Sequence, residues 1–176
     1  MQWVTEGYET MLLETDRQVR LATDGKPATL VIGSVGVGSW MHAVTAHYCS
    51  PVAGDVKIVT VEPDTAACFK ESLHTGQLTS IETGNSIMCG MNCGTPSRIA
   101  WQVLRDGVWA AVTVTDTEAH ESVLFLQEQG VNAGPCGAAP LAALRRLCAG
   151  GELDEIKDGV VVLFSTEGGR EYEVPM

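Results

Sequence analysis

Short aliphatic runs alternate along this chain with longer stretches whose apolar residues recur every three or four positions. The runs at 29–32, 56–61, 108–114 and 159–164 are rich in Val, Ile, Leu and Ala. Apolar runs of that length predict strands buried on both faces. The helical rhythm predicts helices at 5–22, where Tyr8, Leu12, Val19 and Leu21 roughly share a face, and at 40–48. Asp64 is the expected cap of a helix reaching about His74 and closed by Gly76. Further helices are expected at 97–105, at 115–130 behind a Thr115-Asp116-Thr117-Glu118 capping box, and at 138–148. Residues 77–96 keep no period. Gly84, Gly90 and Gly94, set among Met88, Cys89, Met91 and Cys93, predict an ordered loop that lines something.

Strands alternating with helices predict a single α/β domain over 1–176. Its expected form is a three-layer sandwich with an open, mostly parallel sheet of about four strands. Ligands in such sheets bind at the carboxyl ends of the strands. Those ends carry the turn at 33–39, Glu62, Thr115 with Asp116, and residues 165–168. Together with the loop at 84–96 they should surround one crevice. Gly33, Gly36 and Gly38 let backbone approach a ligand closely, and the N–H groups of a helix's first turn attract an anion. The same glycines suit a plain strand-to-helix turn, so an anion cradle and a purely geometric role both stay open here.

Composition narrows the picture. With 176 residues and 45% apolar content the chain can bury a real core. Its formal charge of −11 argues against nucleic acid and anionic membrane surfaces as partners. The longest apolar run, 160–164, is far too short to cross a bilayer. Glu6 and Glu9 near the start are unlike a signal peptide. Six cysteines without framework spacing suggest reduced thiols and a cytoplasmic protein.

Rival chemistries fit less well. A dinucleotide site would need G-x-G-x-x-G, whereas the turn reads Gly33-x-x-Gly36-x-Gly38. No Gly-Lys-Ser/Thr follows it, which excludes a P-loop, and no G-x-S-x-G nucleophile elbow exists. Cys89 and Cys93, with Cys136 or a histidine, have the wrong spacing for a zinc site. Nothing in the spacing of His42, His47, His74 and His120 selects a Cys-His nucleophile pair.

Five segments in order carry a resemblance: Val35-Gly36-Val37-Gly38-Ser39; Val61-Glu62-Pro63; Ile87 through Ser97 with its Met88-Cys89-Gly90 core; the turn and helix at 134–144; and Phe164-Ser165-Thr166-Glu167-Gly168. Together they resemble the C-terminal half of fold-type-II pyridoxal-phosphate enzymes, the tryptophan synthase beta superfamily. The subgroup most resembled is diaminopropionate ammonia-lyase, with threonine synthase and serine/threonine dehydratases as relatives. The resemblance covers nearly the whole chain from about Glu6. It implies that Gly36, Val37, Gly38 and Ser39 hold a cofactor phosphate through backbone N–H groups. It also implies that Ser165 or Thr166 bonds the pyridine nitrogen, and that Glu62 matches an acid used near the imine or in a structural cation site. Cys68 stands where some relatives supply an aspartate for that cation.

The resemblance places the Schiff-base lysine, and an Asn-rich loop for the substrate carboxylate, in an upstream half outside this chain. Lys26, Lys57, Lys70 and Lys157 are its lysines, and Lys26 and Lys57 fall at the far end of the sheet from the crevice. Three functions are therefore expected to compete. The leading one is a lobe repurposed as an enzyme of isomerase, cyclase or lyase type acting on a small metabolite, requiring no cofactor. Glu62, Cys93, Asp116 or Glu167 would then be its acid–base groups, with no metal. The alternatives are half of a split pyridoxal-phosphate ammonia-lyase with the lysine on a partner chain, and a non-catalytic ligand-binding remnant. Loss of an upstream half should leave apolar surface, so a homodimer or higher homo-oligomer covered through helix 5–22 is expected.

Overall fold

Four strands form the sheet of the computed structural model, which describes residues 2–51, 53–156 and 158–175. They are β1 (Leu30–Ser34), β2 (Lys57–Pro63), β3 (Ala110–Val114) and β4 (Val161–Leu163). The spatial order is β3-β2-β1-β4, and every pair is parallel. Leu30 lies beside Lys57 on one side and Val161 on the other, while Val59 pairs with Ala110. The helices are α1 (Gln2–Gly7), α2 (Glu9–Ala22), α3 (Ser39–Tyr48), α4 (Cys68–Thr75), α5 (Arg98–Gly107), α6 (Asp116–Glu128) and α7 (Pro135–Ala149).

Strand alternation divides the core into two layers. Val31 and Ile58 point to one face, where Leu12 of α2, Met41 and Val44 of α3, and Trp101 and Leu104 of α5 pack on them. Leu30, Ile32, Val59 and Val61 point to the other, against Ala139, Ala142, Ala143 and Leu147 of α7 and Ala119 of α6. Both faces are covered, which is why β1 reads as an unbroken apolar run with every residue buried. Burying each such aliphatic side chain is worth about 2 kcal/mol. The alanines of α7 keep that helix close to the sheet, so its first turn reaches the carboxyl ends of the strands.

Several sequence expectations shift. The helix expected at 5–22 is two helices, broken at Tyr8, which precedes the first residue of α2. Leu12 alone of α2 is buried; Leu21 is 75% exposed and lies off the core face. Leu21 lies nine residues beyond Leu12, about 900° of helical rotation, and so on the opposite side of α2. Asp64 caps nothing: α4 starts at Cys68, and the Glu62 carboxylate accepts from Phe69 N and Lys70 N at 2.8 Å each. α7 begins at Pro135, three residues before its expected start, because proline suits the first helical turn. The capping box is present as read: Glu118 N donates to Thr115 Oγ1, and Thr115 N donates to the Glu118 carboxylate.

Candidate active site

The carboxyl ends of β1 and β4, the first turns of α3 and α7, and the Cys89–Met91 turn enclose one cavity of about 710 Å³. Gly36, Val37, Gly38 and Ser39 form one wall, and Ser165, Thr166 and Glu167 form the opposite one. Tyr8 at the α1–α2 break, Met11 of α2 and Trp40 of α3 also line the cavity. Ser34 and Cys136 line it too, joined by a 2.6 Å bond from Ser34 Oγ to the Cys136 carbonyl.

The turn gets its shape from glycine. Gly38 has φ +96, and a Cβ there would lie 2.8 Å from Leu104 Cδ1 and 3.2 Å from Ala100 Cβ. Only glycine adopts that backbone without strain, and only hydrogen fits against α5. Val35 N bonds the Val61 carbonyl and Ser97 N bonds the Val37 carbonyl, so neighbouring strand and loop clamp the turn on both sides. Across the cavity, a Cβ on Gly137 would lie 2.8 Å from Ser165 Oγ and 2.4 Å from the Glu167 carbonyl oxygen. The bare helix surface there lets the residues after β4 lie directly on α7.

The helix N-termini at this end of the sheet are answered differently. α4 has Glu62, α6 has its Thr115–Glu118 box, and α7 has Glu167, whose carboxylate accepts from Cys136 N at 2.7 Å. α3 has glycine at its cap and no side-chain cap bond. Its first-turn N–H groups have no intrahelical acceptor and carry the positive end of the helix dipole into the cavity wall. α5 starts at this end too, tied to the turn by the bond from Ser97 N to the Val37 carbonyl, and likewise has no side-chain cap bond; α3 differs in having glycine at its cap and its first turn in the cavity lining. The hydroxyls of Ser39, Ser165 and Thr166 engage no partner among the described residues.

The four acid–base candidates separate. Glu167 lines the cavity, but both of its oxygens are engaged, one by Cys136 N and the other by Arg170 Nε at 2.9 Å. Glu62 is fully buried behind the turn, and burial pushes its pKa up to about 7 against the pull of the two backbone donors. Cys93 sits beside it, its sulfur against Gly36, and burial and then Glu62 push its thiol up. Cys68 completes that buried group, pushed up to about 12 by burial and then by Glu62. Asp116 opens α6 and accepts from Ser86 Oγ at 2.6 Å and Ile87 N at 3.1 Å, which ties down the long loop. Glu62, Cys93 and Asp116 are not among the cavity-lining residues.

No described lysine reaches the cavity. Lys57 lies 4.4 Å over the Trp109 ring with Glu155 at 3.9 Å, and Lys70 Nζ reaches Thr113 Oγ1 at 3.4 Å. Lys26 is exposed ahead of β1, and Lys157 lies outside the described residues. Sequence reasoning missed Tyr8, Trp40, Cys136 and Arg170. Pro135-Cys136-Gly137 carries a helix-start signal that could have placed Cys136; the other three depend on packing alone.

A pyridoxal phosphate fits part of this site. The uncapped α3 turn matches its phosphate, and the facing Ser165 and Thr166 hydroxyls suit a ring nitrogen. The amine to which such a cofactor is bound is absent from the described lining. The diaminopropionate ammonia-lyase of Escherichia coli K12 is 27% identical over 185 residues, covering 97% of this chain and 46% of that protein. That of Salmonella typhimurium is 29% identical over 119 residues, 65% of this chain and 29% of that protein. A crystal structure of the Escherichia coli enzyme in complex with D-serine superposes with a TM-score of 0.81 at 25% identity, over 94% of this chain and 44% of that one. Maize serine racemase shares the fold with a TM-score of 0.78 at 22% identity, over 96% of this chain and 50% of that one. This chain thus spans half or less of these relatives. No described helix is long and apolar enough to cross a membrane. The model of the pyridoxal-phosphate dependent enzyme family matches residues 2–166, and by that match, over a glycine turn shaped for an anion, the chain belongs to that family.

Proposed function

We propose that this chain is the phosphate-gripping lobe of a pyridoxal-phosphate-dependent amino-acid ammonia-lyase, its lysine supplied by polypeptide outside these residues. The observation that carries this reading is the α3 turn, whose glycine cap leaves a helix start in the cavity lining without a carboxylate or hydroxyl bond. Gly36, Val37, Gly38 and Ser39 would hold the phosphate, and Ser165 or Thr166 the ring nitrogen. When bound, the cofactor supplies an electron sink for a carbanion next to the substrate amine. Glu167 holds the α7 start and Arg170 in place, keeping Ser165 and Thr166 over Gly137.

A cofactor-free acid–base enzyme is supported less well. It needs a carboxyl or thiol ready to exchange a proton with substrate; in the described cavity lining, Glu167 has both oxygens engaged and burial pushes the Cys136 thiol up to about 11.

Titration with pyridoxal phosphate and, in parallel, with unphosphorylated pyridoxal tests the reading. The phosphorylated form should bind at least tenfold more tightly, and Gly38→Ala should remove most of that advantage. Borohydride should trap no adduct on this chain alone, and should trap one on an added lysine-bearing lobe from a relative. Equal binding of the two forms, or a trapped adduct on Lys26, Lys57 or Lys70, would refute it.

A further inference from the structure

One thiol in the cavity lining and a second beside it have sulfurs that the site as described does not use. Cys136 lies in the first turn of α7, buried and lining the cavity. Cys89 is exposed and opens the Cys89–Met91 turn, whose Gly90 and Met91 line the same cavity. Turn and helix touch at the sulfur: a Cβ on Gly90 would lie 3.3 Å from Cys136 Sγ, and the Gly90 N–H donates to that sulfur. The Arg170 guanidinium, held by Glu167 and the Ile87 carbonyl, lies within electrostatic reach of both sulfurs.

We propose that Cys89 and Cys136 form a redox pair, reversibly oxidised by a hydroperoxide to a disulfide on the cavity wall. Exposure lets Cys89 meet the oxidant first. Its thiolate attacks the peroxide, an S–O bond forms, the O–O bond breaks, and one water leaves. The Cys136 thiol, held protonated by burial, then attacks the Cys89 sulfur; the S–S bond forms, the S–O bond breaks, and the departing oxygen takes the Cys136 proton and leaves as a second water. Two thiols lose two electrons and two protons, and one hydrogen peroxide becomes two waters. A disulfide needs its Cα atoms within about 7 Å. Gly90 packs against the Cys136 sulfur and Cys89 directly precedes it in the exposed turn, so a rotation of that turn brings the two sulfurs together. Closing the bond draws the Cys89–Met91 turn onto α7 and narrows the cavity from that side. The inference needs only these two sulfurs and stands apart from any cofactor.

The test treats the reduced full chain with hydrogen peroxide, blocks the remaining thiols and digests with trypsin. A link between peptides 71–98 and 106–145, which hold Cys89 and Cys136, should form and vanish with dithiothreitol. It should persist in Cys93→Ser, the other cysteine of the first peptide. It should fall more than tenfold in Cys136→Ser and in Cys89→Ser, an exposed change whose fold circular dichroism checks. Absence of the link in the wild-type chain, or its survival in Cys89→Ser, would overturn the pair.

Discussion

Glu62 shows how one residue's surroundings outrank its type. At the end of β2 a carboxyl reads as an acid for the crevice, yet it is sealed beneath α4 with two backbone N–H donors on its oxygens. Burial still dominates and lifts its pKa from the usual 4.5 to about 7. The folded state therefore keeps a proton that the unfolded chain releases. Glu62's contribution to stability is full below about pH 4.5, declines as pH rises to about 7, and is flat above. The urea midpoint of Glu62→Gln, compared with wild type from pH 4.5 to 8, should lack that decline, a difference on the order of a few kcal/mol. A gap between the two proteins that stays constant over the window would remove the case for a raised carboxyl.

At the scale of elements, local signals were most reliable where both partners are close in sequence. The Thr115–Glu118 box closes within one turn, and it formed as its spacing requires. Thr115→Ala should cost about 1 kcal/mol and lower the melting temperature by roughly 2–4 °C. No measurable shift in a thermal melt would mean that packing of α6 on α7 alone fixes that helix start. The start of α4 illustrates the opposite case. Asp64 had the right type and place for a cap, but β2 brings Glu62 against the same N–H groups, and the helix begins later. Helix 5–22 failed likewise, since the break at Tyr8 belongs to packing around the cavity and leaves little mark in the apolar rhythm.

For the whole molecule, surface left uncovered suggests how it associates. Trp3 is 86% exposed, and Leu13 and Leu21 stand out from α2. Large apolar side chains exposed along the α1–α2 arm are costly to leave in water. The homodimer expected from sequence is proposed to bury this arm against a second copy. Light scattering at micromolar concentration should give a dimer or larger species, and Leu13→Glu with Leu21→Glu should shift it to monomer. A wild-type protein that scatters as a monomer would count against the arm as an interface.

What sequence alone determined here was periodic or local. Apolar runs specify strands buried on both faces, the 3.6-residue rhythm specifies most helices, and ordered glycine motifs specify a family and its anion-shaped turn. Tertiary structure decided which polar groups remain available. Glu62, Asp116 and Glu167 look alike as acids along the chain, but each is drawn to backbone N–H groups that the fold delivers, at α4, the long loop and α7. α3 is left uncapped because no carboxylate is folded against it. Which helix end meets an acid depends on strand order and register, and those follow from long-range pairing that no local pattern encodes.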